Sequence, residues 1–214
     1  MLQTRVITNE RGVFQMTKSF YSAVQSRRSI YGINDEKIIS DERIEDIVNL
    51  VVKHTPTAFN SQTGRVVVLI GEQHKKFWKL AFESTKQGLA EEKIDSTKRR
   101  FESFASGYGT VLFFEDYSVV ESFQEKFSSV EHYFPVWSHQ ASGMLQYIVW
   151  TALEQEGLGA SLQHFYPELS KEVKESWGIQ EKWELIAQLP FGNPISPPKE
   201  KLIEPVEQRV VIVK

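Results

Sequence analysis

Cysteine is absent from the sequence, which removes structural disulfides, thiolate chemistry and cysteine-bound zinc together. Long apolar runs are missing as well. Stretches such as VVVLIG (66–71) fall far short of the roughly 20 residues a membrane-spanning helix needs. The opening MLQTRVITNERGVFQM carries no apolar segment of the secretory type, so a soluble, cytoplasmic protein is expected. Nor is charge of one sign concentrated. The net charge is −3 and the basic residues are scattered, without the stripe a nucleic-acid surface requires. The histidines at 54, 74, 132, 139 and 164 lack metal-ligand spacing, and no metal site is expected. A Walker loop, a GxGxxG turn and a nucleophile elbow are also missing.

What is present is enough apolar material for a core. Hydrophobic residues make up 41% and aromatics 12% of 214 residues, which suits one domain or one subunit of a dimer. No repeat or linker divides the chain. Residues 1–15 read as an irregular leader and 16–214 as a single domain.

Helices and strands alternate along it. A helix is expected over about 18–27, with Phe20 and Val24 on its buried side. SDERIEDIVNLVVKH is the clearest helix, capped by Ser40, started by Asp41 and Glu42, and apolar at Ile44, Ile47, Val48, Val51 and Val52. RVVVLIG (65–71) reads as a buried strand and GTVLFFED (109–116) as a second interior strand. A long central helix over 137–158 carries Ala141, Leu145, Ile148, Val149, Ala152 and Leu153, and stops at Gly157 and Gly159 through positive φ. GASLQHF is a short extended piece. A helix is expected over about 167–177, a strand over 182–192, a loop over 190–198, and an alternating strand in VEQRVVIVK at the C-terminus. The class is α+β.

Four polar clusters stand out. QSRRSIYG (25–32) presents Arg27, Arg28 and Ser29 after an apolar helix, either as a solvated helix end or as an anion seat. TPTAFNSQTGR (55–65) crowds Asn60 and Gln62 into a short loop. Their amides suit the edge of a heteroaromatic ring, and equally suit local turn bonding. PPKEK places Lys199 and Lys201 on one side of an extended segment, to converge on a phosphate or simply to be solvated. EGLGASLQHF can bring backbone N–H groups near a ligand or merely end a helix. Glu115 and Asp116 at a strand end read as a carboxylate pair or, in preference, as a solvated strand terminus. Arg27, Ser29, Lys199 and Lys201 together offer a phosphate a gross stabilisation of about 6–12 kcal/mol, at about 1.5–3 per charge-assisted bond. Micromolar affinity corresponds to about 8 kcal/mol.

In this order, RRSIYG, PTAFNSQ, GLGASLQHF and PPKEK resemble the nitroreductase family of FMN-dependent oxidoreductases, over nearly the whole chain from Ser19. PTAFNSQTGRVVVL with FGNPISPPKEK is most similar to a small fungal and bacterial subgroup, some of whose members are linked to fatty-acid signalling and oxidative stress. The resemblance implies a three-layer sandwich, with a mixed central β-sheet flanked by helices. It also implies a homodimer with two FMN sites at the subunit interface. By it, Arg27, Arg28 and Ser29 match the phosphate- and ring-binding segment. Asn60 and Gln62 match an amide pair offered from the partner subunit, Leu162 and Gln163 the segment at the reactive edge of the flavin, and Lys199 and Lys201 the pair that closes on the phosphate. The implied activity is ping-pong reduction of nitroaromatics or quinones by NADH or NADPH. A flavin-holding regulatory or stress-response role with little turnover is the alternative. The sequence departs from the commoner family pattern at QTG, where many relatives carry Gln-Pro-Trp, and at SLQHF.

Overall fold

The computed structural model describes residues 5–8, 14–17, 19–165 and 171–214. In chain order it runs β1 (Arg5–Thr8), β2 (Phe14–Thr17), α1 (Phe20–Ser26), β3 (Ile33–Asn34), α2 (Asp41–His54), β4 (Gly64–Ile70), α3 (Glu72–Lys86), α4 (Glu91–Ala105), β5 (Gly109–Asp116), α5 (Tyr117–Lys126), α6 (Phe134–Gln155), β6 (Gly159–Ala160), α7 (Lys171–Trp177) and β7 (Trp183–Pro194).

The main sheet has the order β3-β7-β5-β4, with β6 also paired to β7. All of these pairings are antiparallel. The expected mixture of strand directions therefore reduces to a single parallel bridge, Ser29 with Ala160. β5 lies between β4 and β7 and is buried along its whole length. Side chains alternate across a strand, so β5 supplies two cores at once. Val111 and Phe113 pack with Ile44 and Val51 of α2 and with Leu145, Val149 and Leu153 of α6. Leu112 and Phe114 pack with Phe77 and Trp78 of α3 and with Phe101 and Phe104 of α4. This is the three-layer α+β arrangement, helices on both faces of one sheet.

The helix signals act as their chemistry dictates. Ser40 accepts from the Arg43 amide at 3.2 Å, capping α2. Pro135 enters α6 in its first turn, where a missing N–H costs nothing. Gly157, at φ 88°, ends the helical path.

Several expectations are corrected. Gly159 does not stop α6; it belongs to β6, and a Cβ there would lie 2.9 Å from Ile30. In α1 the buried residue is Ala23, while Phe20 is 66% exposed because the short helix rests on its other side. Val52 and Ile148 point outward from α2 and α6. β4 is half-buried rather than buried, being the outermost strand. The segment expected to loop from Pro190 stays in β7 as far as Pro194. VEQRVVIVK forms no strand: Val206–Gln208 makes one 3₁₀ turn and the rest is exposed, with no strand among the described residues paired to it. Inside the stretch read as irregular, Arg5–Thr8 pairs antiparallel with Phe14–Thr17. α7 begins at Lys171, and the start expected near 167 lies outside the described residues. Glu115 and Asp116 are not a solvated terminus. Glu115 is wholly buried and Asp116 is 5% exposed, because β4 and α6 close over the end of β5.

Candidate functional site

α1 ends at Arg27, whose backbone leaves the helix (φ −59°, ψ 112°) after donating to the Ala23 carbonyl. The chain then runs beside β6. The Ile30 amide donates to the Ala160 carbonyl at 2.9 Å, and Ser29 bridges to Ala160. Two sequence-distant clusters, RRSIYG and EGLGAS, are thereby one surface.

Arg27 is held by aromatics of α6. Its guanidinium lies 4.2 Å from the Trp150 ring centroid and 5.9 Å from that of Tyr147. Such stacking is worth about 0.5–2 kcal/mol and fixes the plane of the fork. Its buried Nε makes no hydrogen bond. Arg28 reaches the other way, donating to the Lys199 carbonyl. That bond draws the C-terminal basic segment onto the N-terminal one. A cavity of about 290 Å³ lies here, bounded by Arg28, Ile30, Trp150, Gly157, Ser196 and Pro197 among others. Lys199 and Lys201 are exposed.

Beyond β6, Leu162 is half-buried against the α2–α6 core and Gln163 is buried. The Gln163 side chain donates to the Ser161 hydroxyl at 3.0 Å and accepts from Arg100 at 3.3 Å. Its backbone exchanges two hydrogen bonds with Gln188 of β7. Gln163 thus spends both its side-chain amide and its backbone on the protein itself.

Asn60 and Gln62 lie elsewhere. Their loop packs on the start of α6, where the Phe59 ring is 5.6 Å from Phe134 and 5.8 Å from Trp137. Trp137 and Trp150 are thirteen residues apart on that helix, about 20 Å at 1.5 Å per residue. The amide loop thus packs from the start to the middle of α6, Gln62 sharing a cavity with Ser142 and Leu145, whereas Arg27 sits on Tyr147 and Trp150 nearer its end. Both amides are exposed.

Sequence reasoning missed three participants. Trp150, which stacks on Arg27, was not singled out within the long helix. Arg100, which binds Gln163, stood in a charged run with nothing to distinguish it. Glu115 carried the signal of an acid at the end of an otherwise apolar strand, read as solvated.

Comparison with known proteins gives this geometry a context. The model of the nitroreductase family matches residues 24–193. The chain is 38% identical to HBN1 of Saccharomyces cerevisiae over 189 residues, spanning 86% of this chain and 92% of HBN1. It superposes on the nitroreductase CinD of Lactococcus lactis, solved with chloramphenicol, with a TM-score of 0.83 and 36% identity, covering 92% of this chain and all of CinD. CinD has also been solved with 4-nitrophenol. A Desulfovibrio desulfuricans protein solved with FMN shares the fold at 18% identity and a TM-score of 0.67, covering 92% of this chain and 99% of that one.

Proposed function

Because the chain belongs to the nitroreductase family, we propose that it is an FMN-dependent oxidoreductase, acting on nitroaromatics or quinones at the expense of NADH or NADPH. The observation that carries this reading is the cationic seat at one end of α6, with Arg27 fixed on Trp150 and Arg28 tied to Lys199. The residues fit a flavin mononucleotide. A phosphate supplies three acceptors and close to two negative charges. Arg27 offers a buried Nε that makes no hydrogen bond, Ser29 a hydroxyl, and Lys199 and Lys201 exposed cations that lose little on turning toward it. FMN, when bound, would supply the hydride- and electron-transfer chemistry that links the nicotinamide to the acceptor in ping-pong order. The protein's part is to hold and orient it and to exclude water. Arg27 holds the phosphate end or balances negative charge on the ring. Leu162 covers the ring edge. Two of CinD's ligands, chloramphenicol and 4-nitrophenol, carry a nitroaryl group and favour the nitroaromatic class, while a third, nicotinic acid, carries none.

A homodimer completes the reading. Asn60 and Gln62 sit on a loop packed along the start and middle of α6, apart from the Arg27 seat on Trp150, and are assigned to the flavin held by a two-fold copy. Val136, Met144, Tyr147 and Ile148 leave an apolar stripe on α6, each between 39% and 51% exposed, for that copy to cover. The test is direct. Protein incubated with FMN and desalted should stay yellow, bleach with NADH or NADPH under anaerobic conditions, and recover its colour with a quinone or 4-nitrophenol. Protein that refuses FMN overturns the reading. A yellow protein that neither nicotinamide bleaches supports a flavin-holding regulatory role instead.

A further inference from the structure

The loop carrying Asn60 and Gln62 is under backbone strain. Phe59, Asn60 and Gln62 all have φ between 51° and 55°, a region that costs a side-chain-bearing residue about 1 kcal/mol or more. Bonds from all sides hold it. The Gln62 amide donates to the Thr57 hydroxyl at 3.0 Å, Arg65 donates to the Gln62 carbonyl at 2.8 Å, and the Asp116 amide donates to the Thr63 carbonyl at 3.0 Å. Beneath the loop lies a cavity of about 130 Å³, whose lining includes Thr55, Thr57, Gln62, Arg65, Glu115 and Ser142.

Glu115 is the anomaly in that cavity. It is 0% exposed, and neither carboxyl oxygen has a hydrogen-bond partner. The buried Thr63 hydroxyl beside it is also unpartnered. The charged groups around it offer no spare cation. Arg65 of β4 is committed to Asp116 at 2.9 Å and to two loop carbonyls. Asp116, Glu184 opposite on β7 and Tyr117 of α5 bring no positive charge. The residues of α2 and α6 in the lining, Val52, Ala141, Ser142 and Leu145, are uncharged. A carboxylate here would be desolvated and uncompensated; a carboxylic acid is tolerable.

We propose that Glu115 is a positioning residue for the amide loop: uncharged, it lets residues 57–63 close over the cavity, and its ionisation loosens them and weakens cofactor binding. The second half rests on the flavin reading above; the first does not. Burial pushes the Glu115 carboxyl up to about 7, against the pull of the Thr63 hydroxyl and Arg65. Opening the loop would wet the acid and return it to its ordinary range near 4.5. Proton linkage then makes opening about tenfold more favourable at pH 8.5 than at pH 6.

Hydrogen exchange of the peptide spanning 57–63 tests this in cofactor-free protein, after correction for intrinsic rates. Wild-type protection should fall about tenfold from pH 6 to pH 8.5, while Glu115→Gln stays flat. Thr63→Val, which removes a group favouring ionisation, should move the midpoint to higher pH. FMN affinity, read by quenching of flavin fluorescence, should follow the same three patterns. Equal changes in wild type and Glu115→Gln overturn the proposal. Should that variant fail to fold, an unmoved midpoint in Thr63→Val overturns it. A loop that responds as expected in a protein refusing FMN at both pH values upholds the control of the loop and sinks the flavin reading alone.

Discussion

Arg27 meets an aromatic plane on one side and leaves a buried Nε without a hydrogen bond, the arrangement on which its proposed anion-holding role rests. Arg27→Ala should weaken FMN binding by about tenfold to a hundredfold, the range of one charge-assisted contact. Arg27→Lys should recover only part of this, because an ammonium offers neither the fork nor the flat stack on Trp150. Fluorescence titration distinguishes the three proteins. A second residue governs acid stability. His74 is fully buried, its Nδ1 2.7 Å from a Thr110 hydroxyl that also accepts from Trp78. Burial lowers its pKa from 6.5 to about 4. The unfolded chain therefore takes up this proton first, and folded stability is lost as pH falls from about 6.5 toward 4. Relative to His74→Gln, urea unfolding should show wild type losing about 3 kcal/mol over that interval. The two residues also mark what local sequence can reveal. Arginines beside a serine after a helix announce themselves wherever the fold puts them. Glu115 did not, since an acid ending a strand looks the same whether water or α6 lies above it.

At the level of elements, periodicity carried most of the fold. α2 was legible to its caps, because Ser40, the acidic first turn and the recurrence of Ile44, Ile47, Val48 and Val51 agree. β5 was legible from its unbroken apolar run. The edge position of β4 was not, since edge and centre differ by what pairs alongside, which no window of one strand contains. The C-terminal strand failed for the same reason: alternating VEQRVVIVK has the composition of a strand and no strand among the described residues paired to it. Close backbone packing was equally hidden. A Cβ on Gly192 would lie 2.3 Å from the Asn34 carbonyl and 3.0 Å from the Tyr108 amide nitrogen. Gly192→Ala should therefore cost about 1–3 kcal/mol by forcing β3 off β7, measurable as a lowered melting temperature. An unchanged melting temperature would mean that the β3–β7 pairing contributes little.

For the whole molecule, the decisive feature is apolar surface that the chain does not cover itself. Leu202, Val211 and Val213 are each more than 85% exposed, and the α6 stripe adds to them. Ending the chain after Pro205 should leave the circular dichroism spectrum unchanged, because the tail packs on none of its own core. Sedimentation should shift toward monomer as concentration falls. A dimer of undiminished affinity would place the contact on α6 alone. The two loops were legible as polar clusters, but nothing in PTAFNSQ or QSRRSIYG says that both pack along α6.

The two-faced strand β5 has a thermodynamic corollary. Val111 and Phe113 serve one core while Leu112 and Phe114 serve the other, and their backbones are the same backbone. Neither layer of helices can let go without stripping a wall from its counterpart. Calorimetry should accordingly record a single heat-absorption peak, with no separate melting of the α3–α4 side.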